Sequence, residues 1–263
     1  MIRLPRAATA ALSLVGGFVV LILYGPLSVA IFFSFFRLER NVVRWDSFSF
    51  DAYGALTHNE GILDAISNTM IVGAAAVVLS LSFGTLLAFY CRAGRSRART
   101  ALQFVIFLPF LMPPIITGLS LLIFFREVGI PRSLVTVVIG HTVFVLVLVY
   151  RIVFTRLQSL PPSLVEASLD LGASRWQTFR HVLAPSLMPA LVSAAVLAFA
   201  LSYDETLITL LVTGTKSTLP MRLWAMMRLG FTPDINALVT LILAGTTILA
   251  LVALRLVKLP QRH

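Results

Sequence analysis

The chain has 263 residues, 58% of them hydrophobic and 12% charged, with a mean hydropathy of +0.94. A soluble domain of this length has no core large enough to hide that much apolar surface, whereas a bilayer is itself an apolar solvent. The net charge of +10 lies in short segments between long apolar runs and forms no continuous basic face, which argues against nucleic acid as a partner. The single cysteine, Cys91, excludes an internal disulfide framework and a multi-cysteine metal site. It reads as a small apolar residue at a helix end.

A helix crosses a hydrocarbon core of about 30 Å with roughly 20 apolar residues. The first such run follows Arg3 and Arg6 and covers about 8–36. It is longer than the apolar segment of a secretory leader, so a retained helix is expected. The polar stretch from Arg37 to Asp64 carries Trp45, Phe48, Phe50 and Tyr53, suiting a short strand or an interfacial helix near the headgroups. A second span is expected over 65–91 and a third over 101–125. Within the third, Pro113 and Pro114 predict a kink or broken helix of the kind that borders a substrate path.

A fourth span is expected over 133–153, where Arg151 can snorkel to extend it, and where His141 reads as a satisfied helix-end histidine. The fifth, 186–213, contains the adjacent acids Asp204 and Glu205. The connector Lys216–Asp234, with Trp224 and two arginines, suits an interfacial or re-entrant helix, and the sixth span covers 235–256. Continuous runs of this length fit helices rather than barrel strands. The expectation is an all-α integral membrane protein of about six transmembrane helices, forming a single transmembrane domain over 1–263. If the N-terminus is cytoplasmic, that side receives thirteen of the 21 Lys and Arg and two of the 11 acids. The positive-inside rule therefore predicts a multi-pass membrane protein with both termini in the cytoplasm.

The connector between spans four and five, residues 155–185, has the most ordered sequence chemistry. Pro161 and Pro162 suit a helix start, where a missing N–H costs little. Gly172 stands where that helix should end in a left-handed conformation, and Ser174 is placed to cap a second short helix. Pro185 marks the entry to span five. Leu164, Ala167 and Leu171, with Val165 and Leu169, recur at helical spacing, so each helix has an apolar face to bury.

This pattern resembles the EAA loop of the transmembrane permease subunits of ABC importers. The matching positions are Glu166-Ala167-Ser168, Gly172, Phe179 and Pro185, with Asp170 and Ala173 inside the same turn. Ser168 departs from the second Ala of the family pattern. The resemblance implies a type I (MetI-like) importer bundle and a loop that couples to an ATPase subunit. It also implies a heterodimer with a second permease, two ATPase subunits holding ATP and Mg, and an external substrate-binding protein. No cofactor, metal or catalytic residue is expected in this chain, which has no GxxxxGK[ST], HExxH or GxSxG sequence. The rival class, a secondary transporter, calls for internal repeats and coupled ionisable groups near the midplane; no repeat is evident.

The resemblance is closest to the second permease subunit of spermidine/putrescine importers, through Leu201–Thr206 and Leu219–Gly230. It implies a polyamine or another small cationic amine as cargo. Acids inside a span cost roughly 2.5–3.5 kcal/mol each on insertion scales, so Asp204 and Glu205 should face water, a partner or a cation. Beside Tyr203 they would attract a cation by charge and through the ring face. The two acids project about 100° apart on a helix, so one of them should face the path. Where close relatives carry an acid early in span three, this chain reads Leu111-Met112-Pro113-Pro114-Ile115. That departure keeps an amino-acid derivative, an opine or a phosphonate as alternative cargo.

Overall fold

A computed structural model describes residues 6–39, 42–94, 96–229 and 233–257. Arg3, Arg40, Arg95, Lys258 and Arg262 of the charge count, and Gly230, lie outside the described residues. In chain order the elements are α1 (Arg6–Phe33), the antiparallel pair β1 (Phe36–Glu39) and β2 (Val42–Phe48), α2 (Asp51–Thr57), α3 (Glu60–Arg92), α4 (Arg97–Leu111) and α5 (Pro114–Glu127). There follow α6 (Leu134–Ser159), α7 (Ser163–Asp170), α8 (Arg175–Thr178), a π-helical turn (Phe179–Leu183), α9 (Ala184–Asp204), α10 (Leu207–Val212), α11 (Leu219–Leu229) and α12 (Pro233–Val257). The chain divides into two compact units, one within Met1–Leu63 and Leu223–Gly245, the other within Asp64–Arg222 and Thr246–His263.

In the first unit, α1 is apolar on every side, and none of its apolar window Leu12–Phe33 is buried. Leu14 is 76% exposed, a state that lipid tails satisfy and water does not. The segment expected to hold a strand or an interfacial helix holds both. The hairpin pairs Phe36 with Phe48 and Leu38 with Val43, and α2 follows it. Its rings pack on one another: Phe35 stacks on Phe48 at 5.6 Å, and Trp45 meets Phe32, Phe33 and Phe36 with ring centroids 6.4, 6.3 and 5.7 Å away. A 2.6 Å hydrogen bond between Ser34 Oγ and Tyr53 Oη ties α2 to the end of α1.

The second unit is built around α6. Val145, Val149, Val153 and Leu157 recur every four residues and are each 0% exposed, forming one ridge of the helix. Leu187, Ala194 and Ala198 of α9, Ala88 and Cys91 of α3 and Ile106 of α4 complete that core. Gly84 lets α3 approach α6 closely, since a Cβ there would lie 3.1 Å from the Tyr150 backbone nitrogen. A second cluster gathers Val72, Phe125, Val137, Ile208 and Val212, seating α10 against α3, α5 and α6.

Among the described residues, α1, α3, α6 and the continuous stretch Arg175–Asp204 are each long and apolar enough to cross a bilayer. The third expected span is two helices instead of one rod: α4 and α5 meet at a bend of 108°. Each alone reaches only about 21–23 Å at 1.5 Å per residue. The cause is local. Met112, standing before a proline, is held extended at φ −86, ψ 140, and Pro113 follows at φ −53, ψ 138. Pro113 has no N–H for the Pro109 carbonyl; the Thr117 hydroxyl comes within 3.5 Å of that oxygen. The sixth expected span falls on α12, whose apolar stretch among the described residues, Ile235–Ile248, is shorter than the four helices long enough to cross.

Candidate coupling loop and translocation site

The α6–α9 connector folds as its corner residues dictate. Helix α6 ends at Leu160, whose carbonyl accepts from Arg92 at the end of α3 (3.2 Å), and Arg156 donates to Ser186 O across the base of the loop (3.0 Å). Pro162 then opens α7, with its carbonyl accepting from Val165 and Glu166 at 3.0 and 3.2 Å. At the other end Gly172 has φ +80, and two bonds close the turn: Gly172 N to Leu169 O (2.9 Å) and Ala173 N to Ser168 O (3.1 Å). That pair is a Schellman motif, which favours glycine at the left-handed position.

Ser174 then caps α8 reciprocally. Its hydroxyl accepts from Gln177 N (3.3 Å), while its own N–H donates to Gln177 Oε1 (2.7 Å). Ser168, the departure from the family pattern, has a partner that Ala would lack. Its hydroxyl lies 3.0 Å from the hydroxyl of buried Thr178, joining α7 to α8. Phe179 stacks on Trp176 at 5.6 Å and meets Phe89 of α3 edge-on at 5.8 Å, anchoring the loop to the helical core. Pro185 is the second residue of α9 and cannot donate to a preceding carbonyl. The wider π turn comes immediately before it, with Ala184 N donating to Phe179 O.

The apolar face expected to be buried is not buried within this chain. Helix α7 has no buried residue. Glu166, Ala167 and Asp170 are exposed, Ser168 and Ala173 half-buried. Leu171 is 88% and Trp176 65% exposed. The loop is therefore a knob of two short helices with fixed corners and an uncovered apolar and acidic surface.

The second group of predicted residues sits at a break that sequence periodicity did not reveal. The fifth expected span is α9 followed by α10, interrupted at Glu205 (φ −73, ψ 112) and Thr206 (φ −109, ψ −36). Tyr203 is buried and its ring packs on Phe199 at 6.3 Å, so little of the ring is open to a cation. Glu205 is buried too, and its Oε1 accepts from Ile208 N at 2.9 Å, turning the carboxylate back onto the start of α10. Asp204 is exposed at the last residue of α9. The expectation of two acids beside Tyr203 thus resolves into one structural carboxylate, one exposed carboxylate and one packed ring. Pro113 is exposed and Pro114 half-buried at the α4–α5 bend.

Behind the break lies a buried polar group. His141 is not at a helix end but in the second turn of α6, 1% exposed, with both ring nitrogens engaged. Nδ1 is 2.8 Å from Ser202 Oγ on α9, and Nε2 is 2.8 Å from Thr209 Oγ1 on α10. Thr209 also donates to Glu205 O (3.1 Å). Gly140 and Gly118 let α10 sit this close, since a Cβ on either would meet Ile208 at 2.7 and 3.1 Å. Ser202 and Thr209 have no sequence signal as partners of His141, because the pairing spans more than 60 residues. Among the described residues no group of three or more His, Cys, Asp or Glu could hold a metal ion.

Residues 80–262 match the family described as binding-protein-dependent transport system inner membrane component. The chain belongs to that family. It is 35% identical over 239 residues to the putrescine transport system permease protein PotI of Escherichia coli K12, covering 88% of this chain and 85% of the relative. It is 29% identical to the spermidine/putrescine transport system permease protein PotC of the same strain, covering 90% of each. Solved structures share the fold. A bacterial ABC transporter involved in import of the acidic polysaccharide alginate superposes with a TM-score of 0.70, at 20% identity, over 98% of this chain and 99% of that one. The MetNI methionine ABC transporter gives 0.64 at 22% identity, over 80% and 98%. The family member described here is therefore a multi-pass inner-membrane transport component with the type I importer permease fold, and its relatives are permeases. Both the α7–α8 knob and the α9–α10 break fall inside the matched segment.

Proposed function

We propose that this chain forms half of the translocation path of an ATP-driven importer for polyamines or another small cationic amine. The observation that carries the cargo reading is the exposed Asp204 carboxylate on the last residue of α9. The C-terminal end of a helix carries about half a negative charge, and broken helices in transporters gather cations at such ends. Asp204 adds a full charge to that end, so attraction rests on charge rather than on the ring of Tyr203. The relatives named for putrescine and spermidine point to the same cargo class.

In this reading α7 and α8 dock on an ATPase subunit, with Leu171 and Trp176 as apolar anchors and Glu166 as a charged contact. Both termini and the knob lie in the cytoplasm. A second permease completes the path, two ATPase subunits bind ATP and Mg, and an external binding protein delivers the cargo. ATP-driven uptake of labelled putrescine by the reconstituted complex tests this. Uptake that requires ATP and the binding protein is expected. Transport of a neutral amino-acid derivative or a phosphonate instead would overturn the cargo while leaving the importer. Uptake without any ATPase subunit would overturn the importer.

A further inference from the structure

The strongest unassigned feature is a cationic cleft where α3 and α6 end and α4 begins. It has a volume of ≈ 1270 Å³, and Arg92, Arg97 and Arg99 line it together with Ser96, Gln103 and Gln158. Among the described residues no acid contributes to its lining, and neither Arg97 nor Arg99 pairs with a carboxylate. Arg99 has its guanidinium 5.1 Å from the ring of Tyr90, and its Nε is buried without a hydrogen-bond partner among the described residues. Such a nitrogen calls for an acceptor.

The cleft does not end in protein. It shares Thr100, Gln103, Phe104 and Phe154 with a second groove of ≈ 390 Å³ that continues past Phe107 and Leu111. Leu111 is 65% and Phe104 62% exposed. The arginine cluster thus opens into a groove lined by Phe104, Phe107, Leu111 and Phe154 and also by Tyr150 and Arg151, whose guanidinium lies 5.5 Å from the Phe107 ring.

We propose that this paired cleft and groove bind one anionic phospholipid, its phosphate among Arg92, Arg97 and Arg99 and an acyl chain along Phe104, Phe107 and Leu111. Basic pockets between transmembrane helices suit anionic headgroups. The absence of an acid in the lining leaves no partner for the ammonium of a zwitterionic lipid. The apolar side chains of the groove, Phe104, Phe107, Leu111 and Phe154, distinguish a lipid from a free phosphate, which would use only the arginines. Leu160 and Pro162, at the base of α7, also line the cleft, so an occupying lipid would touch the root of the coupling knob. The site rests on the membrane assignment and is independent of the cargo.

The test uses the assembled transporter in detergent, with dioleoyl phosphatidylglycerol, dioleoyl phosphatidylcholine and inorganic phosphate titrated separately and bound species counted by native mass spectrometry. Phosphatidylglycerol should bind well ahead of phosphatidylcholine. Each juxtamembrane arginine contributes roughly a factor of five, so Arg97→Gln with Arg99→Gln should weaken phosphatidylglycerol about 30-fold. Arg97→Gln alone, at an exposed position, should weaken it about fivefold without changing the unfolding temperature. Phe104→Ser should weaken the lipid and leave phosphate binding unchanged. Phosphate binding as tightly as the lipid would reduce the site to a free-anion site and overturn the proposal. So would equal binding of the two lipids, or phosphatidylglycerol binding only after the ATPase subunits are removed.

Discussion

Asp204 and Glu205 are neighbours in sequence with opposite placements, and substitutions should separate their effects. Glu205 is buried, and its carboxylate accepts from Ile208 N at 2.9 Å. Glu205→Ala removes a helix-capping acceptor, at about 1 kcal/mol, and leaves a buried N–H without a partner, at about 1–3 kcal/mol. The combined loss is about 2–3 kcal/mol, because the two terms partly describe the same bond. Glu205→Gln keeps an acceptor oxygen in place, so about 1 kcal/mol is expected. Asp204 is exposed, and among the described residues its carboxylate has no hydrogen-bond or ion-pair partner, so Asp204→Asn should change stability by under about 0.5 kcal/mol. Thermal unfolding of the purified complex and ATP-driven putrescine uptake should then dissociate. Asp204→Asn unfolds like the parent yet loses at least about tenfold in uptake, equivalent to 1.4 kcal/mol of lost cation attraction. Glu205→Ala unfolds early, and Glu205→Gln transports close to normally. Normal uptake in Asp204→Asn, together with lost uptake in a fully stable Glu205→Gln, would reverse the two roles and refute the argument.

Substitutions at three further positions probe the scaffold. A Cβ at Gly172 meets nothing within 4 Å, so Gly172→Ala costs only its left-handed backbone, about 1–2 kcal/mol. Gly172→Pro also deletes the N–H to Leu169 O and should uncouple ATP hydrolysis from uptake or prevent assembly with the ATPase; coupled transport in that variant would remove the knob from the coupling path. His141→Leu breaks two buried hydrogen bonds worth about 0.6 kcal/mol each in membrane proteins. It should lower the unfolding temperature and loosen α10, read as faster hydrogen exchange over 207–212; unchanged exchange would show that α10 is seated by packing alone. Ser168→Ala restores the family residue but deletes the 3.0 Å contact to Thr178. It should cost about 1 kcal/mol and speed exchange in α7 without abolishing uptake.

The spans were legible because a bilayer imposes a length and an apolar composition that one sequence displays openly. The corners of the knob were legible as well, since Pro162, Gly172 and Ser174 each act through their own backbone chemistry within five residues. The break after Asp204 was not. No glycine or proline marks it, and treating 186–213 as one helix made the two acids differ only by a rotation of about 100°. What sets them apart is the turn at Glu205, stabilised by its bond to Ile208 and by Thr209 bonding His141, a partner 68 residues away. Likewise Pro113 and Pro114 announced a kink, while its 108° arises from two consecutive extended residues at the junction. Tyr203 was legible as a neighbour of the acids but not as a packed ring, because burial depends on Phe199 one helical turn away.

Whether Asp204 faces the cationic path can be read from its accessibility during turnover. In a Cys91→Ser background, Asp204→Cys in the reconstituted complex is exposed to cationic and anionic methanethiosulfonate reagents with and without putrescine. Faster modification by the cationic reagent is expected, with protection by putrescine that depends on ATP hydrolysis. Modification at equal rates by both reagents, untouched by putrescine, would place Asp204 away from the path.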